Sequence, residues 1–235
     1  MPKKTSKKKF DVQAEFQSSS SSSSSIDIKK NIGDVPRLKI QNVVSTYSLG
    51  VRSVNLINLA SQLPFVEFNP KKFAAATVRL KSPQTTALIF ASGNIVCTGA
   101  KNEVESRLSC RKYVSILQKH NIPVYMKNFK IQNIVASVNI KMTIDTEKIS
   151  QAYGIYVSWE PELFPGLIFR TVNPKLVMLI FRSGKIVLTG AKSVKDIETV
   201  FSYFYLNIIH NYRDENKYIN SKHYLINKRA QSIYR

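Results

Sequence analysis

The apolar and polar positions of this chain trace one set of elements and then trace it again. From Leu38, LKIQNVVSTYSL alternates with the period of two expected of a strand. Residues 51–63 are ambiguous, with Val54, Ile57 and Leu63 allowing a short helix. FNP at Phe68 to Pro70 marks a turn, because proline fixes its own φ and restrains the residue before it. Phe73 to Leu80 then reads as a strand, Ser82-Pro83 as a turn, and Thr85 to Phe90 as the next strand. Ser92-Gly93 turns the chain into a further strand, NIVCTG. These connections are too short for parallel crossovers, so the sheet is expected to be antiparallel. Lys101 to Lys119 reads as a long helix with an apolar stripe of Val104, Leu108, Tyr113 or Val114, and Leu117. Pro123 follows its end.

The same order returns at an offset of 91 positions, the distance from Ser92 to Ser183. SGNIVCTGAK (Ser92 to Lys101) becomes SGKIVLTGAK (Ser183 to Lys192), and IQN at Ile40 to Asn42 becomes IQN at Ile131 to Asn133. Phe73 maps to Phe164, Arg79 to Arg170 and LIF at Leu88 to Phe90 onto Leu179 to Phe181. The second copy predicts a strand in KIQNIVASVNI and a short helix within Thr143 to Tyr153. A Pro-bounded turn in WEPELFPG leads to three more strands and a helix over Lys192 to Ile209. That helix has Ile197, Val200, Phe201, Phe204 and Ile208 on its apolar side. A long period present twice is not a solenoid, which needs several stacked units. Two copies of one half-domain about a pseudo-twofold axis fit better. The expected organisation is a basic, Ser-rich, disordered tail over residues 1–36, a first repeat over 37–127, a second over 128–213, and an extension over 214–235 that reads as a flexible tail or an added helix, the tail being favoured.

Each half supplies several strands but only one long and one short helix, enough to cover one side of a sheet. Yet the strands are apolar on both sides. In TALIF, Leu88 and Phe90 point opposite to Ile89; in NIVCTG, Val96 and Thr98 point opposite to Cys97. A half-solvated sheet ordinarily turns a polar face outward. A contiguous face of Val, Leu, Phe, Thr and Asn marks an interaction site. Another protein layer could cover it, and so could the minor groove of DNA, where proteins insert apolar wedges between base steps and bend the duplex. A Phe in a strand is ordinarily core. Here Phe73 and Phe90, matched by Phe164 and Phe181, form two symmetric pairs suited to wedging. Asn42 and Asn133 are also paired by the repeat, and an Asn amide can donate to the adenine N3 and thymine O2 acceptors of that groove.

Charge narrows the partner. The chain of 235 residues carries a formal net charge of +20, and most of the excess lies between residues 41 and 213. Such a field favours a polyanion, nucleic acid before an anionic membrane. No apolar run is long enough to span a bilayer, and the basic start leads into Asp11, Glu15 and the serine tract Ser18 to Ser25 rather than a secretory signal. KKTSKKK reads as a nuclear-localisation or nucleic-acid patch, or simply as a solubilising tail. Two cysteines, Cys97 and Cys110, and three dispersed histidines offer neither a disulfide framework nor a metal site. No cofactor is expected. No carboxylate or Cys/His cluster has a catalytic arrangement, so enzymatic function is set aside.

FNPKKFAAATVRLKSPQTTALIFASGNIVCTGAK and SWEPELFPGLIFRTVNPKLVMLIFRSGKIVLTGAK closely resemble the two halves of the core of the TATA-box-binding protein family, a resemblance running from Arg37 to Arg213. It implies an α+β fold, a pseudo-twofold saddle. A ten-stranded curved antiparallel sheet would form its concave underside and four helices its convex top. By the same resemblance, Phe73/Phe90 and Phe164/Phe181 are the kinking pairs, with Ala74 and Pro165 beside them. Asn42 and Asn133 bond base edges near the pseudo-dyad. Val44, Val135, Leu88, Leu179, Val96, Val187, Thr98 and Thr189 line the groove contact. Phosphate contacts fall to Lys72, Arg79, Ser92, Lys101, Arg170, Ser183, Lys185 and Lys192. Glu160, Glu162 and Leu163 match a stirrup that receives transcription factor IIB. Arg107, Arg111, Lys112 and Lys119 match a helix surface used by regulators and by factor IIA. The free protein would be able to pair weakly with itself through the concave face.

The implied role is a general initiation factor that binds and bends A·T-rich, TATA-like promoter DNA in the minor groove and recruits other initiation factors. The alternative is a degenerate relative that binds DNA without sequence preference or has exchanged DNA for a protein ligand. Asn94 stands where the family's first half usually has a phosphate-contacting lysine, whereas the second half keeps Lys185. Trp159 and Phe68 each replace a usual tyrosine. The Lys, Asn and Ile enrichment suits an A·T-rich genome, that of a protist or a large DNA virus, which leaves a nucleus and a cytoplasmic viral factory both open as the site of action.

Overall fold

The computed structural model describes residues 10–14 and 35–213. They divide into two compact units. The first holds residues 40–136 and 191–194; the second holds 137–190 and 195–213 together with 10–14 and 35–39. In chain order the elements are β1 (Lys39–Ser48), α1 (Leu56–Gln62), β2 (Val66–Glu67), β3 (Ala75–Lys81), β4 (Gln84–Phe90), β5 (Asn94–Ala100), α2 (Glu103–Lys119) and β6 (Lys127–Asn139). There follow α3 (Thr146–Tyr153), β7 (Val157–Ser158), β8 (Leu167–Thr171), β9 (Leu176–Ile180), β10 (Lys185–Ala191), α4 (Val194–Asn207) and a 3-10 turn at Ile209–Tyr212. The ten strands follow the order β2-β3-β4-β5-β1-β6-β10-β9-β8-β7. The pairings among β2, β3, β4, β5 and β1, and among β7, β8, β9 and β10, are antiparallel. The α+β class, the ten-stranded sheet and the four main helices that the resemblance implies are therefore present among the described residues.

The alternation read from the sequence is the one that folds. In β4, Thr85, Ala87 and Ile89 are buried while Thr86, Leu88 and Phe90 remain half-exposed. In β5, Ile95 and Cys97 are buried opposite half-exposed Val96 and Thr98. The buried face of the first unit packs against α2. Ser45 Oγ lies 2.8 Å from Ser106 Oγ and 3.5 Å from Cys110 Sγ, and Thr85 Oγ1 lies 3.1 Å from the Tyr113 hydroxyl. The core of the second unit is richer in aromatics, with Phe169 and Phe204 edge-to-face at 4.4 Å between ring centroids.

Several local expectations are corrected. Helix α2 begins at Glu103 because Asn102 caps it, accepting the Glu105 N–H at 2.7 Å, and Glu105 Oε2 reaches back to the Lys101 N–H at 2.8 Å. Its buried stripe is Ser106, Ser109, Cys110, Tyr113, Val114 and Leu117. Val104 and Leu108, expected on that stripe, are 78% and 46% exposed. A hydroxyl can face a core when it is hydrogen-bonded, and Ser106 and Ser109 both are, so the helix rotates away from the purely apolar solution. In α1 the buried residues are Leu56 and Leu59, and Ile57 faces solvent. Phe73 lies outside its strand, in a turn where its N–H bonds the Asn69 carbonyl. The two-residue strands β2 and β7 were not legible at the residue level.

Part of the presumed tail is also structured. Phe10 forms a parallel bridge to Thr171 and is 5% exposed, and Val12 is fully buried. Both are apolar side chains that the second unit can cover, and the composition of the surrounding segment concealed them. The serine tract and residues 214–235, for which a flexible tail was expected, lie outside the described residues. Among the described residues no helix is long and apolar enough to cross a membrane.

Candidate nucleic-acid interface

Cross-strand register builds the half-exposed face row by row. In the first unit Thr46 opposes Val96, Val96 opposes Leu88, and Leu88 opposes Thr77. A second row holds Thr98, Thr86 and Arg79. The second unit repeats both: Val187, Leu179 and Ile168 form one row, and Thr189, Val177 and Arg170 the other. The sequence-predicted Leu88, Leu179, Val96, Val187, Thr98 and Thr189 are thus brought together within their units, and each row of the second kind ends in an exposed arginine. Val44 and Val135 are half-exposed on β1 and β6. The rows also contain Thr46, Thr77, Thr86, Ile168 and Val177, which the sequence reading left out. Strand parity alone could have found them, since each lies an even number of residues from a predicted contact on its own strand or opposite one.

At the end of each face stands an aromatic pair. Phe73 and Phe90 are edge-to-face with centroids 6.3 Å apart, and Phe164 and Phe181 likewise at 5.8 Å. Phe73 is 50% exposed and Phe164 37%, so one ring of each pair projects from the surface while its partner braces it. Edge-to-face geometry is the favoured way for two rings to pack. Ala74 and Pro165, beside the rings, are exposed. Gly166 lies beneath the second pair: a Cβ there would stand 2.6 Å from Phe164 Cε1 and 3.1 Å from Phe181 Cε1. The sequence reading missed it, although the 91-residue offset pairs it with Ala75, the residue facing Phe90 in the first unit.

Asn42 is fixed by a local irregularity. Register slips between Val43 and Ser45, which brings the Asn42 side chain to the next strand. Its Oδ1 accepts the Gly99 N–H at 2.8 Å, and its Nδ2 lies 3.1 Å from Thr98 Oγ1. A backbone N–H can only donate, so the amide orientation is assigned and the NH2 end remains a donor. Gly99 is required here: its φ is +106°, and a Cβ would meet the Gln84 carbonyl oxygen at 2.8 Å. Asn133 is half-exposed at the matching place on β6.

The expected phosphate contacts Lys72, Arg79, Ser92, Lys101, Arg170, Ser183, Lys185 and Lys192 are all exposed. Two of the basic ones are already engaged. Arg79 Nη1 pairs with Glu67 Oε1 at 2.5 Å, and Lys101 Nζ donates to the Gln41 carbonyl at 2.7 Å. Asn94 donates to Ser92 Oγ at 3.2 Å, so this shorter side chain turns back on its own hairpin. Glu160, Glu162 and Leu163 are exposed in the turn before β8. On α2, Arg107 stacks over Phe129 at 4.2 Å, Lys112 Nζ donates to the Ser82 carbonyl at 2.9 Å, and Arg111 and Lys119 are exposed. Among the described residues no group of His, Cys, Asp and Glu could hold a metal ion.

The family model for transcription factor TFIID (or TATA-binding protein, TBP) matches residues 37–120 and again 128–211. The chain belongs to this family. Its two matches coincide with the two copies of the repeat, and membership places the chain among transcription factors rather than enzymes. The TATA-box-binding protein 1 of Triticum aestivum is 53% identical over 173 residues, covering 74% of this chain and 73% of that protein. The TATA-box-binding protein of Tetrahymena thermophila is 48% identical over 184 residues, covering 78% and 74%. Among solved structures, the Methanococcus jannaschii TBP aligns with a TM-score of 0.62 at 35% identity, covering 70% of this chain and 94% of that one.

Proposed function

We propose that this protein binds A·T-rich, TATA-like promoter DNA in the minor groove and bends it, acting as a general initiation factor. The observation that carries the reading is the pair of braced aromatic couples, Phe73/Phe90 and Phe164/Phe181, each standing beside a half-exposed face of Val, Leu and Thr. Each unit applies one couple to a base step. The projecting ring enters the stack, its partner keeps it from folding back, and the opened step bends away from it. Unstacking costs a few kcal/mol per step and is offset by the larger surface the bent duplex lays on the protein.

Selectivity has two sources. The minor groove of A·T pairs offers only acceptors, which suits the NH2 of Asn42 and Asn133 and the threonine hydroxyls; guanine adds an amino group that an apolar face cannot satisfy. Pyrimidine–purine steps such as TA also kink more cheaply. Arg79, Arg170, Lys185 and Lys192, with the other basic residues named above, hold the backbone and set register. The exposed Glu160, Glu162 and Leu163 are the proposed contact for a factor IIB-like protein, and the basic face of α2 the contact for a factor IIA-like protein.

The test compares a TATA-containing duplex with a G·C-rich one at moderate salt, for the wild type and for Asn42→Asp. The wild type should prefer the TATA duplex by at least about tenfold, a threshold set well below the roughly 10³–10⁷ typical of specific over non-specific binding. Asn42→Asp keeps the acceptor for Gly99 but replaces the donor with a negative charge, and should cost roughly 1–3 kcal/mol of that preference. Equal affinity of the wild type for both duplexes would sink the sequence-selective reading.

A further inference from the structure

The second unit carries a pocket that the groove face does not use. Its wall is aromatic: Tyr153, Tyr156, Phe169 and Tyr203 surround the Phe10 ring, with centroid distances of 6.4, 5.1, 5.4 and 6.1 Å. Three of the four contacts are edge-to-face. The main chain docks through a single parallel bridge to Thr171. Phe10 N–H donates to the Arg170 carbonyl at 3.3 Å, and Val172 N–H donates to the Phe10 carbonyl at 2.9 Å. Asp11 then caps a helical turn at residues 12–14. Its Oδ1 accepts the N–H groups of Gln13 and Ala14 at 3.0 and 3.2 Å, an N-cap, while its Oδ2 accepts Asn173 Nδ2 at 2.8 Å. Val12 is fully buried.

These contacts read a sequence. They require an aromatic ring, then an aspartate, then an aliphatic residue. Backbone bonds supply register and side-chain pockets supply specificity, as in peptide recognition by strand addition. The aspartate suits the field of a chain with net charge +20.

The pocket is also peculiar to one repeat. At the 91-residue offset Tyr153 and Tyr203 become Gln62 and Lys112, Phe169 becomes Val78 and Asn173 becomes Ser82, while Tyr156 alone keeps an aromatic counterpart, Phe65. In the first unit Lys112 Nζ donates to the Ser82 carbonyl, in the place where the second unit receives its segment. The scaffold shared by the two repeats therefore does not demand the pocket.

We propose that this pocket is an acceptor site for extended protein segments of the form aromatic–Asp–aliphatic, with Phe10–Ala14 as its occupant in the free chain. A partner presenting the same chemistry binds by displacing that segment. The site uses none of the groove-face side chains, so the inference stands apart from the DNA reading.

The experiment uses the full chain with Phe10→Ala and Val12→Ala, which vacates the pocket, and a fluorescein-labelled peptide KKKFDVQAEF followed by anisotropy. The vacated chain should bind the peptide at least about tenfold more tightly than the wild type, whose pocket is occupied; a binding-competent fraction below one lowers apparent affinity by that fraction. Adding Tyr203→Lys, which copies the first repeat, should abolish binding, as should replacing the peptide's Phe by Ala. Absence of binding to the folded vacated chain, or equal binding to both chains, overturns the proposal. Hydrogen exchange of the wild type supplies an answer even if the double variant does not fold. The Val172 N–H should exchange through local opening, at least about a hundredfold faster than the amides of β9. Exchange of Val172 only with those amides makes Phe10–Ala14 a permanent part of the core and overturns the proposal equally.

Discussion

Replacing Gly166 by alanine adds one methyl group beneath the Phe164/Phe181 couple. The new Cβ would stand 2.6 Å from Phe164 Cε1, 3.2 Å from Phe164 Cζ and 3.1 Å from Phe181 Cε1. Carbon atoms rest at roughly 3.5–4.0 Å, so the Phe164 ring must retreat by about 1 Å. The first unit shows the direction: Ala75 carries that methyl, and its couple is spaced at 6.3 Å rather than 5.8 Å. Phe164 is partly exposed, so the ring can move outward without disturbing the core. Holding it there off its preferred rotamer costs about 0.5–1.5 kcal/mol. Returning the wedge to its original place to enter the base step restores the clash with the new methyl, and a strain of similar size on binding is roughly a two- to tenfold loss of affinity. Stability should change little, because the rotamer strain in the folded state is offset by Gly→Ala at a permissive φ restricting the unfolded chain, about 0.4–1 kcal/mol. Energy transfer between the ends of a labelled TATA duplex reads the bend, a titration reads affinity, and a thermal melt reads stability. The expected result is a reduced bend and weaker binding with a nearly unchanged Tm. Wild-type bend and affinity would refute the placement of Phe164 as a wedge. A collapse of Tm would show instead that Gly166 serves the fold.

Two further outcomes follow from neighbouring contacts. Glu67 occupies Arg79 through an ion pair whose side chains are both more than half exposed, so the pair adds about 0–1 kcal/mol to the fold. Glu67→Gln should free Arg79 for phosphate, raise DNA affinity about two- to fivefold at low salt and steepen the salt dependence by about one counterion; a loss of affinity would contradict the phosphate role of Arg79. Burial pushes the Tyr113 hydroxyl from its usual 10.0 up to about 12. The unfolded chain therefore releases this proton first, and the stability tied to the neutral phenol, full below pH 10, is lost as pH rises from 10 to 12, up to about 3 kcal/mol. Tyr113→Phe gives up the contact to Thr85, about 1 kcal/mol at neutral pH, but should fall less steeply in alkali, so urea titrations at pH 7 and 11 should show the gap closing or reversing.

Period and parity are properties of the chain itself, and they carried most of this protein. The doubled SGNIVCTGAK/SGKIVLTGAK phrase, the two-sided apolar strands and the matched Phe residues located the sheet, its half-exposed face and both aromatic couples. Side chains on a strand must alternate, so Leu88, Val96 and Thr98 could be assigned to one face before any fold was known. Local sequence could not decide what depends on a partner across space. Helix α2 turns Ser106 inward and Val104 outward where Ser45 on β1 offers Ser106 a hydrogen bond, which no periodicity in α2 records. The two-residue strands β2 and β7 exist only because β3 and β8 pair with them. Phe10 and Val12 sit in a stretch whose composition predicts disorder, yet the second unit covers both. Gly166 is an ordinary glycine in the sequence and acquires a role only once two rings close over it. The sequence determined which residues can face a groove. Tertiary packing decided which of them are braced, which are already engaged, and which segment of the tail is held.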